Sequence, residues 1–287
     1  MQAYLETIGV LGVAILGLMA GKVFSKLRRP YWLGGYFLSL ILTSILILPH
    51  LYYSTQFMPL LSILLAGRIR FIILGFAISV GLVGPIDRLP YRLEQVLVCI
   101  LMSVVIGWFT VMPFLAPALL HDSHASMKTN INSQGICFQS TDYTCGPAAA
   151  VTALYKFGIK ADEGQLAILA HTSPVIGTLP KCLADALTRQ YADDGLECDF
   201  KFFDSIDQLK EDDVTLVVVK DHFLADHCIA VLNVDDETVT VADPVLGKCV
   251  ISRKDFAEEW RFSGISIKRN PAAIQTIASG SGQSSSI

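Results

Sequence analysis

Several familiar signatures are missing from this chain of 287 residues. It has no Cys-x-x-Cys pair and no His-Glu-x-x-His, which removes the usual frames for structural zinc and for a zinc peptidase. It has no Gly-x-x-x-x-Gly-Lys-Ser/Thr, so no P-loop holds a nucleotide. No internal repeat is present. Charge is also scarce: Asp, Glu, Lys and Arg make up 17% of the chain, and Tyr31–Tyr53 (23 residues) and Gln95–Leu120 (26 residues) have none. Bases are lacking ahead of the first apolar run, where Glu6 is the only charge. That is not the positive n-region of a cleaved signal peptide.

What is present divides into two halves. Hydrophobic residues are 52% of the chain and mean hydropathy is +0.51, high for a soluble protein. Residues 1–120 carry eight Lys and Arg against three Asp and Glu, net +5, and residues 121–287 carry fourteen against twenty-three, net −9. An oily, basic half and an acidic, ordinary half imply two solvents. The acidic half gives no support to nucleic-acid binding.

The two charge-free runs are long enough as helices to cross a hydrocarbon core of about 30 Å. Thr7–Gly21, with Lys22 able to snorkel, and Phe71–Ile86, with Arg68 and Arg70 just ahead at an interface, are shorter candidates. The expectation is a membrane domain over 1–120 with about four transmembrane helices, near 5–25, 31–53, 69–86 and 94–120. Lys22, Lys26, Arg28 and Arg29 follow the first span, and Arg88 and Arg92 follow the third. Only Arg68 and Arg70 lie in the second loop, so the positive-inside rule places the C-terminal half outside the cytoplasm. The localisation expected is a multi-pass protein of a bacterial inner membrane, with the lipid bilayer as one partner.

Residues 121–133 read as a polar linker, 134–269 as one globular domain, and 270–287, ending SGSGQSSSI, as a disordered tail. Within the domain, Pro147 suits the first turn of a helix running to Phe157, with Gly158 at its C′ position. Helices are expected around Gln165–Ala170 and Leu179–Tyr191. Strands are expected at Val214–Lys220, His227–Val234 and Thr238–Ala242, then a short helix at Phe256–Trp260 and a strand at Ile265–Lys268. Helices followed by antiparallel strands make an α+β domain.

Four residues in this layout suit acyl transfer. Cys145 opens Cys145-Gly146-Pro147-Ala148-Ala149 at a helix N-terminus, where the dipole and free N–H groups favour a thiolate. His227 starts one strand and Asp243 ends its hairpin partner, so base and orienting acid can lie side by side. Gln139, six residues ahead of Cys145, can offer its side-chain amide to a developing oxyanion. Cys99, Cys182, Cys198, Cys228 and Cys249 have no such setting and read as packing residues; Cys228 should face away from its neighbour His227. Cys137 is the other cysteine near the site, and His222, in a loop-like stretch, is the rival base. An external domain would permit disulfides such as Cys182 with Cys198.

These stretches resemble the bacteriocin-processing, double-glycine leader cysteine peptidases, papain-like domains found in peptidase-containing ABC exporters. Cys137–Gly158 (CFQSTDYTCGPAAAVTALYKFG) resembles the family's nucleophile helix, LPKCLADAL after Gly177-Thr178 its second block, and His227–Lys248 (HCIAVLNVDDETVTVADPVLGK) its His strand and Asp-Pro turn. The resemblance implies Gln139 as oxyanion donor, Cys145 as nucleophile, His227 as base, Asp243 as orienting acid, and no metal or organic cofactor. It covers about residues 134–269. Two departures stand out: Thr144 replaces the Asp that many members place before the cysteine, and the exporter's ATPase is missing. The function expected is therefore a membrane-anchored, ATP-independent peptidase acting on peptides or proteins, with a separate transporter as a further partner. The alternatives are a catalytically idle peptide-binding sensor, or a thiol-dependent amidase or acyltransferase.

Overall fold

In the computed structural model, residues 2–28, 30–51, 67–86, 88–222 and 225–269 are described. The chain divides into two compact units, Met1–Leu120 and His121–Ile287.

The first unit is helical: α1 (Gln2–Ser25), α2 (Leu33–Leu51), α3 (Ile69–Ile86), α4 (Arg92–Ile106), a π-helical turn (Gly107–Val111) and α5 (Met112–Leu119). Among the described residues, Leu5–Ser25, Ile69–Ile86 and Arg92–Leu119 are each long and apolar enough to cross a membrane, while Leu33–Ile47 is a shorter apolar stretch. Gly17 and Gly21 let α1 lie directly on α3. A Cβ on them would stand 2.7 Å from the Ser79 Cβ and 2.9 Å from the Val83 Cβ, so the small-xxx-small spacing sets the approach. Arg68, placed at an interface from sequence, pairs with Glu6 at 2.6 Å and lies over the Phe114 ring.

The second unit begins with helix α6 (His121–Ala125), then β1 (Asn130–Ile131) pairs antiparallel with β2 (Cys137–Phe138). Helices α7 (Cys145–Lys156), α8 (Glu163–Leu169) and α9 (Pro180–Gln190) follow. Next come β3 (Leu196–Phe202), β4 (Val214–His222), β5 (Ala225–Val234), β6 (Thr238–Asp243), β7 (Gly247–Ser252), helix α10 (Arg253–Glu259) and β8 (Trp260–Arg269). These strands form one six-stranded antiparallel sheet in the order β3-β8-β4-β5-β6-β7.

Alternation along the strands feeds two cores. Leu216, Ala230, Ala242, Ile265 and Ile267 pack against Ala148, Val151, Leu154, Leu166, Leu183 and Leu187 of the helices. Their neighbours Val217, Ile229 and Val241 face the other way, against Phe203, Leu209, Phe256 and Trp260.

The α+β order read from sequence is present, with shifts. Strands β3 and β7 were not expected, because Leu196–Phe202 and Gly247–Ser252 mix buried with exposed residues and carry charge. Helix α10 starts earlier than expected, at the Ser252 cap that accepts the Asp255 N–H at 3.1 Å, and Trp260 begins a strand instead of ending a helix. Residues 121–133, read as a polar linker, contribute α6 and β1 to the fold. Their polar groups find internal places: His124 is fully buried against Tyr143, and the Thr129 hydroxyl donates to Asp162 at 2.8 Å. The expected tail, 270–287, lies outside the described residues.

Candidate active site

Cys145 is the first residue of α7, and Thr144 ahead of it is fully buried. Thr144 makes no side-chain cap to the helix. Its hydroxyl turns back instead, accepting the Thr141 N–H and donating to the Thr141 carbonyl, both at 3.1 Å. This small internal turn leaves the first helical amides uncapped by side chains. Pro147 has no N–H to satisfy. Space at Gly146 is tight: a Cβ there would sit 3.0 Å from the Thr178 Cβ and 3.4 Å from Leu183. Thus the stretch after Gly177 packs directly against the nucleophile turn.

The base arrives from the sheet. His227 pairs with Val219 across β4, and the β5–β6 ladder pairs Ala230 with Ala242. Extending that ladder puts Asp243 opposite Ile229, a diagonal neighbour of His227. The His227 Nε2 lies 3.1 Å from the Asp243 Oδ1, and both side chains are mostly buried. The same imidazole lies near enough to Cys145 for the two groups to influence each other. With Nε2 engaged by Asp243, Nδ1 is the nitrogen left for the thiol.

The electrostatics follow from these partners. Burial disfavours the charged ring, but the bond to Asp243, the nearby Cys145 and their charges outweigh it, raising the His227 pKa to about 10. For Asp243, burial works to raise the pKa. The His227 bond and the Val245 and Leu246 amides win, holding the carboxyl below its ordinary value. Those amides meet Oδ1 at 2.6 and 3.2 Å, so the Asp243-Pro244-Val245-Leu246 turn grips its own acid.

Gln139 lies between β2 and α7, and its backbone N–H donates to the Pro244 carbonyl at 3.0 Å. This ties it to the turn that carries Asp243. Its side-chain oxygen is buried with no hydrogen-bond partner among the described residues. The residue after it, Ser140, is held by Glu163 of α8: N–H to Oε1 at 2.8 Å and hydroxyl to Oε2 at 2.6 Å. Sequence reading missed Ser140 and Glu163. A signal existed, because Glu163, Leu166, Ala167 and Ala170 share one helical face, and a carboxylate on an otherwise apolar stripe asks for a partner.

The other cysteines differ in setting. Burial, followed by the nearby Glu163, pushes Cys137 up to about 12. Burial alone does the same for Cys198. Cys228 packs with the helix-side core, and burial with the neighbouring Cys145 and Asp243 charges pushes its thiol up. Cys249 packs in the opposite core. Cys137, Cys145, Cys198, Cys228 and Cys249 are unbridged, which rules out the Cys182–Cys198 pair here. His222, the rival base, is the last residue of β4, opposite Ala225, and not in a loop.

Residues 133–273 match the peptidase C39 family. A protein of Methanothermobacter marburgensis is 31% identical over 132 residues, which cover 46% of this chain and 87% of that one. The chain belongs to the peptidase C39 family. A protein of Methanothermobacter thermautotrophicus is 28% identical over 131 residues, covering 46% of this chain and 86% of its own length. Among solved structures, the peptidase domain of Streptococcus ComA, a bifunctional ABC transporter of a quorum-sensing pathway, is similar at 19% identity with a TM-score of 0.41. It covers 46% of this chain and 96% of that domain. A double-glycine-motif protease from an AMS/PCAT transporter, solved with a leader peptide, is similar at 16% identity with a TM-score of 0.40. It covers 50% of this chain and 93% of that one. As a C39 member the protein is a cysteine peptidase.

Proposed function

We propose that this C39 domain is a membrane-anchored peptidase that cuts peptide bonds with Cys145, His227, Asp243 and Gln139. The observation that carries the reading is a single imidazole bonded to Asp243 at 3.1 Å and set close to Cys145, at the start of α7. A His227 ring held protonated favours the Cys145 thiolate as its ion-pair partner. The thiolate attacks the scissile carbonyl. The oxyanion so formed takes hydrogen bonds from the Cys145 N–H and the Gln139 side-chain amide. His227 gives its proton to the leaving amine, which departs and leaves an acyl-enzyme. His227 then removes a proton from water, and hydrolysis restores the thiol. Asp243 keeps the ring oriented and steadies its charge.

The peptides we assign as substrates are leader or precursor segments, in line with the double-glycine protease that was solved with a leader peptide. The apolar helices of the first unit support anchoring. Tethering raises the local concentration of the enzyme at a membrane where such peptides gather beside a separate transporter.

The test is direct. Full-length protein in detergent micelles is assayed on a fluorogenic peptide amide ending in Gly-Gly, beside Cys145→Ala. Turnover that disappears with Cys145 supports the reading, and turnover that survives the substitution overturns it.

A further inference from the structure

Glu163 is 0% exposed, and both its oxygens are spent on one residue. The Ser140 N–H donates to Oε1 at 2.8 Å and the Ser140 hydroxyl to Oε2 at 2.6 Å. A carboxylate taken out of water is costly unless its lone pairs are met, so this placement strongly constrains where Ser140 can sit. Ser140 directly follows Gln139, whose own N–H is fixed to the Pro244 carbonyl at 3.0 Å. The backbone is therefore pinned on both sides of the Gln139 side chain, by the Asp243 turn before it and by α8 after it.

The anchor itself is braced. The Glu163 N–H donates to the Thr129 hydroxyl oxygen at 2.9 Å, and that hydroxyl donates to Asp162 at 2.8 Å. Asp162 also caps α8 through the Gln165 N–H at 2.8 Å. Beside them, Gly164 lies so close to the His124 carbonyl that no side chain fits between. Glu163 can shift little without disturbing all of these.

We infer that Glu163 is a positioning residue for peptide cleavage, fixing Ser140 so that the adjoining Gln139 amide is aimed at the oxyanion. The inference rests on the reading of Gln139 as oxyanion donor. Glu163 touches neither substrate nor Cys145 in this scheme. Its effect passes through the backbone of one neighbouring residue, and an oxyanion donor displaced by about 1 Å loses much of its effect.

The experiment compares full-length wild type, Gln139→Ala, Glu163→Ala, Glu163→Gln, Ser140→Ala and the double variant Gln139→Ala with Glu163→Ala, in detergent micelles. The probe is the fluorogenic peptide amide ending in Gly-Gly, and iodoacetamide labelling of Cys145 runs in parallel. Glu163→Ala is expected to lower kcat about 10- to 100-fold with KM nearly unchanged. Cys145 labelling, which uses no oxyanion site, should stay at the wild-type rate. Glu163→Gln keeps one acceptor for the Ser140 N–H and should recover most of kcat. On the Gln139→Ala background, Glu163→Ala should cost nothing further.

The inference is overturned if Glu163→Ala leaves kcat within about twofold, or if its loss is just as large without Gln139. Should Glu163→Ala fail to fold, Ser140→Ala removes the hydroxyl bond to Glu163, and a longer 3.4 Å contact to the Lys128 carbonyl, while keeping the Ser140 N–H bond. It must then lower kcat in wild type and not in Gln139→Ala, and an unchanged kcat overturns the inference equally. The Gln139 reading fails separately: Gln139→Ala alone would then cost less than about threefold, against the expected 10²–10³.

Discussion

One oxygen of Asp243 takes the His227 Nε2 at 3.1 Å and the amides of both Val245 and Leu246. The carboxylate that meets the His227 ring is therefore also the pin of its own turn. Asp243→Asn keeps an oxygen for the amides but removes the charge that favours imidazolium. It should leave the fold near wild type, lower kcat, and bring the alkaline limb of the pH–rate profile down from about pH 10. A limb that stays in place would show that Asp243 does not set the His227 proton affinity.

The same pair makes stability depend on pH. His227 is raised from 6.5 to about 10 in the fold, so its contribution is complete below about pH 6.5 and is lost as pH climbs through about 10. Asp243 is lowered from 3.8, so its contribution holds above about pH 3.8 and disappears as pH falls further. The Tm gap between wild type and His227→Gln should be widest between about pH 4 and 6.5 and close towards pH 10. A gap that widens with rising pH would contradict the assignment.

Thiol reactivity should be ordered by surroundings. Iodoacetamide near neutral pH should modify Cys145 first, because the His227 imidazolium stands beside it. Cys137 and Cys198, both pushed to about 12, should lag far behind. Mass spectrometry of the labelled protein reads the order, and equal labelling of Cys198 would sink the nucleophile assignment.

Gly146→Ala tests the packing under the nucleophile. The new methyl meets Thr178 at 3.0 Å and Leu183 at 3.4 Å, so either the Thr178 stretch or α7 must yield. Overpacking of this kind costs about 1–3 kcal/mol, visible as a lower Tm, and kcat should fall more than folding alone explains. Unchanged activity would mean that the contact does not set the position of Cys145.

Topology is tested by reporters fused after Ser133. From the distribution of bases, alkaline phosphatase there should be active and a cytoplasmic reporter silent. The reverse result would place the peptidase where peptides are met before export. The Glu6–Arg68 ion pair bears on the count, since Arg68 is one of only two bases in the second loop and its charge is already matched.

Much of the candidate site was legible because each member leaves a local mark. Cys145 precedes Gly and Pro at a helix start, His227 starts an apolar strand, and Asp243 stands before Pro244 at a strand end. What the sequence did not pair up was long-range support: the stripe on α8 marks Glu163 as needing a partner without naming it. Nothing near Ser140 announces Glu163, 23 positions on, because their bond depends on how α8 packs. The same reason hid α6 and β1: His121–Ser133 is polar in sequence, yet His124 and Thr129 gain internal surroundings that only the folded domain supplies. Strand β7 was obscured by its place at the sheet edge, where Lys248 and Val250 face solvent.

The order of strands also governs when the enzyme can exist during its own synthesis. Strand β8 is last in sequence but lies between β3 and β4, so β3 has no partner in the sheet until Trp260–Arg269 has been made. Ile265 and Ile267, which it brings to the core shared with α7, arrive at the same moment. A ribosome therefore delivers the apolar helices, then Cys145, His227 and Asp243, and only afterwards the strand that joins β3 to the rest of the sheet. The half-made chain holds Cys145, His227 and Asp243 before the sheet and core that back them are complete.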